Sequence, residues 1–348
     1  EGYSYDRRTA HALYRQLVVP VAPVLEGKRH VFIAAAGSLT GIPFAILVTE
    51  EPQGADDDAQ ALRTTRWFAD AHALINIPSI QSLEFLRRFG GTPRPSGDSS
   101  ASFVGFGDPV LHGQAIVRGR GVANVSPAFY KRQTRSASGL ADISQIRQLA
   151  RLPGTAVELE NMRSALRSPT TSLFLAGRAT EHALRAMDLS GTRVLALATH
   201  GLVAGEVMGS SEPGLIFTPP DIATDQDDGF LAASEVSALR LDADWVILSA
   251  CNTAAGDGSA GAPGLSGLAR AFFYAGARNL LASHWLVVDE AAPRLTVRTI
   301  ELMRENPALS RAEALQRSMR EIRDDRSRSA WAHPGVWAPF SLIGDAAR

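Results

Sequence analysis

The sequence has one cysteine among its 348 residues, so no disulfide can form within the chain. This fits a reducing compartment or a chain that avoids disulfides, and we expect a cytoplasmic location. No uninterrupted apolar run reaches about 18 residues, so we expect no transmembrane helix. The 35 basic and 36 acidic residues give a net charge of −1, which offers no reason to expect nucleic acid or a membrane as the main partner.

Other absences concern targeting, metals and cofactors. The chain starts without an initiator Met and without the apolar core of a signal peptide, so we expect it to be a piece of a longer protein. No His/Cys cluster has zinc spacing, and no Gly-rich loop ends in Lys-Ser or Lys-Thr. The acidic run at residues 225–229 lacks the ligand spacing of a calcium loop and is interpreted as a surface turn. We expect no metal and no cofactor.

The apolar residues that are present predict an α/β fold. Short apolar runs bounded by Gly, Pro, Ser or Asn indicate strands at residues 30–36, 44–48, 73–77, 102–106, 172–175, 194–199, 215–218, 245–250, 279–283 and 340–343. Helical spacing predicts helices at residues 9–25 (broken near two prolines), 79–88, 156–166, 180–187, 233–238, 265–275, 289–305 and 310–324. This alternation predicts a mostly parallel sheet sandwiched by helices. Residues 90–101 and 112–140 are expected to be loops; the second is basic and is either a docking patch or a solvated loop.

Two predicted strands end in residues that can carry out covalent chemistry. The strand at 194–199 is followed by His200 and Gly201, and the strand at 245–250 is followed by Cys251. Ligands of open parallel sheets bind beyond the carboxyl ends of the strands. If the two strands are neighbours, an imidazole and a thiol lie at one edge of the sheet, as a cysteine nucleophile and its base require. The N–H groups of Gly201 and Cys251 could then form an oxyanion hole.

The simpler interpretations are that Cys251 is a buried apolar side chain and that His200-Gly201 is a turn. Each is the more common case for such a residue alone. Both residues at strand ends, with the His 51 residues upstream of the only Cys, favour the catalytic interpretation, because caspases have a similar separation.

The chain resembles the CHAT family of caspase-like peptidases over nearly its whole length. The resemblance rests on Ala198-Thr199-His200-Gly201, Leu248-Ser249-Ala250-Cys251-Asn252-Thr253, Leu268-Ala269-Arg270-Ala271-Phe272, Phe106-Gly107-Asp108-Pro109 and Leu152-Pro153-Gly154-Thr155. It also includes the opening helix with its turn ending in Ile42-Pro43-Phe44, where the family has Leu-Pro-Phe, and the closing strand at residues 337–345. Separase, gingipain and the caspases are in the same wider clan.

The resemblance implies a bacterial hydrolase of the thiol protease type. His200 would be the general base and acid, Cys251 the nucleophile, and Gly201 part of the oxyanion hole. The segment Ser283-His284-Trp285 would pair with the substrate backbone. Residues 1–140 would form a degenerate caspase-like half with flexible loops, and residues 141–348 the active caspase-like half.

The sequence is less clear about which substrate side chain the pocket would accept. Asp289 lies where separase-like sequences place an acid for a basic P1 side chain, or it caps the following helix; both alternatives stay open. Glu206 and Asp257 are other acids for the same pocket, and Leu286 indicates a more apolar pocket than the family's usual one.

Three hypotheses for function follow. The first is an endopeptidase that acts on a protein or peptide and is held latent until a partner, an activator or a regulatory repeat region outside the chain acts on it. The second is a CHAT domain that serves as a protein-binding scaffold with little or no activity. A third is a hydrolase of non-peptide acyl groups that uses the same two residues.

Overall fold

The computed structural model describes residues 4–89, 102–113, 140–202, 212–249, 267–285, 287–288 and 290–347. These residues form two compact units, and each unit is discontinuous in the sequence. The first unit contains the described residues up to 89 and those from 283 onward, and the second contains those from 102 to 282. The predicted division at residue 140 stays a prediction.

The first unit is built on three parallel strands. Their order is β1 (His30–Ile33), β2 (Ala73–Asn76), β11 (Phe340–Gly344). β1 pairs with β2 over its whole length. The helices of this unit are α1 (Arg7–Leu17), α2 (Ala22–Leu25), α3 (Ala59–Thr64), α4 (Phe68–Ala71), α5 (Ile80–Phe89), α11 (Ala291–Glu305), α12 (Arg311–Asp324) and α13 (Pro334–Trp337).

The start of α12 shows how the sequence sets a helix boundary. The Ser310 hydroxyl accepts the N–H of Glu313, and the Glu313 carboxylate accepts the N–H of Ser310. This capping box satisfies two N–H groups that the first turn would leave unpaired. Farther along, Ser318 of α12 and Thr299 of α11 share a buried hydrogen bond of 3.0 Å, which joins the two helices.

The second unit is built on a parallel sheet whose strand order is β10 (Asn279–Ser283), β9 (Trp245–Leu248), β5 (Thr192–Ala198), β3 (Ser102–Gly107), β4 (Leu173–Leu175). Every residue of β5 and β9 is buried, as expected when helices cover both faces of a sheet. The helices of this unit are α6 (Ile143–Ile146), α7 (Pro153–Ala165), α8 (Glu181–Arg185), α9 (Ala233–Ala238) and α10 (Gly267–Tyr274).

A small antiparallel sheet follows the end of β5. It consists of β6 (Gly201–Leu202), β7 (Gly214–Ile216) and β8 (Phe230–Ala232). Buried apolar side chains from this sheet, from the segment before α7 and from the residues after β3 form one cluster, whose members include Leu111, Ala141, Ile146, Ile216 and Phe230. The cluster holds the segment at residues 140–150 against the small sheet.

The prediction of an α/β fold with mostly parallel strands and covering helices is confirmed. One predicted strand is wrong: the run at residues 44–48 contains a 3-10 helix at Phe44–Ile46. Within this run only Val48 forms a β-bridge among the described residues, with Trp67, and a short apolar run cannot by itself distinguish a buried strand from other buried segments. The strand predicted at residues 215–218 is β7, which belongs to the antiparallel sheet. In the part of the chain that the structure describes, no helix combines the length and apolarity that crossing a bilayer requires.

Candidate active site

His200 lies beyond the carboxyl end of a buried central strand. β5 pairs in parallel with β9, with Leu197 opposite Leu248. Both strands therefore end at the same edge of the sheet. The predicted dyad depends on this arrangement. Ser249 is the last described residue after β9, so the predicted nucleophile Cys251 lies outside the described residues.

The ring of His200 has a defined hydrogen-bond partner. Its Nε2 lies 2.6 Å from the carbonyl oxygen of Ala150. A carbonyl oxygen can only accept, so Nε2 carries the proton. In the neutral imidazole, the lone pair is then on Nδ1. The ring is oriented with Nδ1 as the nitrogen that can take a proton from a nucleophile.

Burial favours the neutral form of this ring. It lowers the pKa of His200 below its ordinary value, and the hydrogen bond to Ala150 acts in the opposite direction with the smaller effect. The physical cause is the cost of placing an imidazolium where little water can solvate it. Burial therefore favours a neutral His200 ring at physiological pH.

The backbone around His200 is fixed by the small sheet. The His200 carbonyl accepts the N–H of Ile216, and the Thr199 hydroxyl donates to the Ile216 carbonyl. Hydrogen-bonded and non-hydrogen-bonded pairs alternate in an antiparallel ladder. Gly201 lies opposite Leu215 in the next pair, so the Gly201 N–H is not used in the β6–β7 ladder. This geometry suits the predicted role of Gly201 in an oxyanion hole.

A buried carboxylate holds the end of β9. Glu158 of α7 is 2% exposed, and its Oε2 accepts a hydrogen bond of 2.9 Å from the Ser249 hydroxyl. The Ser249 N–H donates to the Leu197 carbonyl of β5. Ser249, two residues before Cys251, is thus held by a side chain and by the sheet.

The sequence analysis identified neither Ala150 nor Glu158. Ala150 acts through a backbone carbonyl, which no residue type signals. Glu158 is one of two acids on α7, and only its burial and its contact with Ser249 distinguish it from a solvated one. The family-like segment Leu152-Pro153-Gly154-Thr155 lies next to both and was the available signal.

The segment predicted to bind substrate, Ser283–Trp285, starts at the last residue of β10 and belongs to the first unit. Ser283 and His284 are buried, and the His284 N–H donates to the Pro339 carbonyl at 2.8 Å. The His284 Nε2 lies 2.7 Å from the Ser341 hydroxyl. The indole N–H of Trp285 donates to the Gly335 carbonyl at 2.9 Å. The side chains of His284 and Trp285 thus anchor the segment.

Burial lowers the pKa of His284 to about 4. The unfolded chain has an ordinary histidine pKa of about 6.5, so it binds a proton that the folded chain rejects as the pH falls from 6.5 to 4. Stability contributed by the neutral ring is therefore present above pH 6.5 and is lost through this window, by roughly 2–3 kcal/mol. We expect His284→Gln to remove this part of the pH dependence of urea unfolding measured between pH 4 and 7.

The exposed His112 provides the matched control. His112→Gln removes one histidine without removing a buried one, and it should leave the steep loss of stability at low pH in place. Equal pH dependence in the His284→Gln variant and the unmodified chain would contradict the assignment of His284 as a buried neutral ring.

The remaining predicted site residues, Glu206, Asp257 and Asp289, lie outside the described residues together with Cys251. Their roles stay predictions. Of the predicted residues that are described, the second unit contains His200 and Gly201, and the first unit contains Ser283, His284 and Trp285.

The family follows from comparison with known proteins. The model of the CHAT domain matches residues 7–345, so the chain belongs to the CHAT domain family. Tetratricopeptide repeat protein 28 of Mus musculus is 26% identical over 360 residues, which cover 96% of this chain and 13% of that protein. The Homo sapiens protein of the same name is 23% identical over 365 residues and 98% of this chain. The chain spans 13% of the length of both relatives.

Two solved structures are similar in fold. The Arg-specific cysteine proteinase gingipain R has a TM-score of 0.48 and 9% identity, covering 98% of this chain and 67% of that chain. Separase of Saccharomyces cerevisiae, in its complex with securin, has a TM-score of 0.47 and 13% identity, covering 90% of this chain and 15% of that chain.

Proposed function

We propose that the chain is a cysteine endopeptidase in which Cys251 is the nucleophile and His200 transfers the proton. The observation that carries the proposal is the orientation of the His200 ring. Its Nε2 proton is donated to Ala150, which leaves Nδ1 as the base at the edge where β5 and β9 end. Cys251, three residues after β9, is the nucleophile that the sequence offers at this edge.

In each half of the proposed reaction, His200 takes up one proton and then releases it. Nδ1 of His200 takes the thiol proton as the sulfur of Cys251 bonds to the scissile carbonyl carbon. The tetrahedral intermediate collapses with cleavage of the C–N bond, and the imidazolium gives its proton to the departing amine. Water then attacks the thioester while His200 accepts one of its protons. The C–S bond breaks, and the imidazolium returns the proton to the departing thiolate, which releases the acid and restores the thiol. Because His200 starts neutral, the proton moves during attack rather than before it.

The oxyanion of the intermediate needs donors that are not already used. The Gly201 N–H lies outside the β6–β7 ladder, and the N–H of Cys251 is the second donor that we propose. N–H groups fixed before the reaction stabilise developing charge without reorganisation and contribute on the order of 10²- to 10³-fold each.

For the substrate, we propose a peptide laid along Ser283–Trp285. The N–H of His284 already donates to Pro339, so pairing would use other backbone groups of this segment. Preference for a basic P1 residue is part of the proposal and would come from Asp289, or from Glu206 or Asp257.

We also propose that another protein region controls the site. The curated relatives are named for tetratricopeptide repeats, and the chain spans 13% of their length. A repeat region or an activator protein could therefore act on the domain in its full-length context. The dyad chemistry does not depend on this part of the proposal.

The lowered pKa of His200 predicts the acid limb of the pH–rate profile. Activity is lost when Nδ1 is protonated, so it falls as the pH drops through the folded pKa of His200. Since burial lowers that pKa, we expect the acid limb of kcat/KM to have its midpoint below the ordinary histidine value of about 6.5. A midpoint above that value would contradict the buried, neutral His200.

The proposal is tested by covalent capture. The protein, alone and with its natural flanking regions, is incubated with peptide electrophiles that carry Arg, Lys, Asp or Leu at P1. We expect one adduct per chain by intact mass, located on Cys251 by peptide mapping, and cleavage of the matching fluorogenic amides.

Matched small electrophiles without a peptide provide the control. Failure of every peptide reagent to label Cys251 faster than the small electrophile would overturn the peptidase and favour a protein-binding scaffold. Labelling with turnover of esters but not of amides would instead indicate a non-peptide acyl hydrolase.

A further inference from the structure

The loop that carries the Ala150 carbonyl is held by an ion pair whose carboxylate is buried. We propose that Asp108 and Arg151 position this carbonyl and thereby fix the tautomer and orientation of His200. Both are positioning residues, since neither touches the reacting atoms. The catalytic consequence rests on the proposed function, whereas the structural consequence for His200 does not.

The ion pair is close and bidentate. Arg151 directly follows Ala150, and its Nε and Nη2 donate to the two carboxylate oxygens of Asp108 at 2.8 and 2.7 Å. The Asp108 side chain is 7% exposed, and the Arg151 side chain is 48% exposed. Two parallel N–H···O bonds fix the plane of the guanidinium as well as its distance, which a single contact cannot do. The backbone next to Ala150 is held accordingly.

Asp108 follows a strand of the same sheet that carries His200. Asp108 follows β3, whose last residue Gly107 lies opposite Ala198 of β5. His200 follows Ala198 by two residues, so Asp108 and His200 follow neighbouring strands at the same edge. The ion pair thus connects the hydrogen-bond acceptor of His200 to the sheet that carries His200.

The backbone of Asp108 is shaped for this contact. Its φ of 49° lies in the left-handed region, which L residues rarely adopt and which Asn and Asp tolerate better than most. Its N–H donates to the Thr155 hydroxyl at 2.9 Å, and that hydroxyl donates to the Leu152 carbonyl at 2.7 Å. Asp108 therefore contacts the segment after Ala150 through both its backbone and its side chain.

The opposite side of the loop is held by backbone contacts. Gly113 forms a parallel bridge with Ala150, and its N–H donates to the Leu149 carbonyl at 3.1 Å. A Cβ atom at Gly113 would lie 2.1 Å from the Gln148 carbonyl oxygen, so only glycine fits. With this contact on one side and the ion pair on the other, the Ala150 carbonyl has a fixed position.

Loss of the ion pair should release His200. If the Ala150 carbonyl moves, the Nε2 proton loses its acceptor, and the ring can adopt the other tautomer, in which Nδ1 is protonated and cannot act as a base. A positioning role therefore predicts a spectroscopic change at His200, which a merely stabilising ion pair would not produce.

The test uses Asp108→Asn, Arg151→Gln and Arg151→Lys in the full chain. Asparagine tolerates the left-handed backbone, so Asp108→Asn removes the charge with little strain. The matched control is Arg147→Gln, because Arg147 lies in the same loop and pairs with the fully exposed Asp221. Nitrogen chemical shifts of the His200 ring report the tautomer, with His200→Gln used to assign the signals.

The single cysteine adds a second measurement. Iodoacetamide can alkylate only Cys251, so the pH profile of alkylation reports that thiol alone. We expect protonated Nε2 in the unmodified chain and in Arg147→Gln, and a mixture of tautomers in the three test variants. Alkylation at pH 7 should fall on the order of 10- to 100-fold in the test variants and change little in Arg147→Gln. Lysine should not restore it, because it cannot form the bidentate contact.

The outcomes separate the two proposals. Test variants that keep the His200 tautomer and the alkylation profile of the unmodified chain would overturn the positioning role. A Cys251 that reacts no faster than free cysteine at any pH would instead contradict the peptidase, while the tautomer measurement would still decide the role of Asp108 and Arg151.

Discussion

Alanine at Cys251 or at His200 is expected to lower kcat/KM for the matching peptide amide by about 10³-fold or more. Cys251→Ala removes the atom that forms the acyl-enzyme, so the residual rate should not exceed that of a chain without covalent catalysis. His200→Ala leaves the thiol without a base, and general acid–base groups contribute about 10²- to 10⁴-fold. The measurement is steady-state hydrolysis of the fluorogenic substrate identified by covalent capture.

The His200→Gln variant distinguishes the role of His200 as a base from its hydrogen bond to Ala150. A glutamine side chain can still donate an N–H to the Ala150 carbonyl, but it cannot take a proton. We therefore expect His200→Gln to be about as inactive as His200→Ala, although its loop should be better ordered. The exposed His182 gives the control, and His182→Ala should retain full activity. Retention of most of the activity by Cys251→Ala or by His200→Gln would rule out the proposed dyad.

Alanine at Gly276 is expected to destabilise the fold by about 3 kcal/mol or more. Gly276 lies in the turn between α10 and β10 with a φ of 109°, a conformation that L side chains rarely adopt. A Cβ atom there would lie 2.1 Å from the Leu241 carbonyl oxygen. The neighbouring Leu241 N–H donates to the Ala275 carbonyl at 2.7 Å, so the turn cannot move away without losing this bond.

Gly177→Ala is the matched control for this prediction. Among the described residues, no atom lies within 4 Å of the position of a Cβ atom at Gly177, and the Gly177 backbone is outside the left-handed region. Its replacement should change the free energy of unfolding by less than about 1 kcal/mol. Urea titration of both variants measures the difference, and a Gly276→Ala variant as stable as Gly177→Ala would show that the turn is not as tight as described.

Most of the secondary structure could be predicted because its signals are local. The run at Asn279–Ser283 matches its predicted bounds. β9 ends two residues earlier than predicted, and β5 starts two residues earlier and ends one residue earlier. Uniformly apolar runs bounded by polar residues suffice for buried parallel strands. The same rule failed at residues 44–48, since burial of an apolar run does not require a strand. The strand β8 was also missed, because Phe230–Ala232 is too short to show alternation.

Some features of the candidate site could be predicted from the sequence, and others could not. The candidate reactive residues can be read from the sequence: one thiol, and one imidazole 51 residues before it, each after an apolar run. The pairing of β5 with β9 and the contact between the His200 ring and the Ala150 carbonyl appear only in the folded chain. The contacts of Asp108 with Arg151 and of Glu158 with Ser249 also join residues distant in the chain.

This difference arises because the interactions act over different distances along the chain. A strand and its end are set by neighbouring residues, so a sequence pattern records them. A hydrogen bond to a backbone carbonyl depends on where folding places that carbonyl, and every residue type has one. The sequence therefore identifies His200 as a candidate base, and the fold places the proton on Nε2, which leaves Nδ1 as the nitrogen that can accept one.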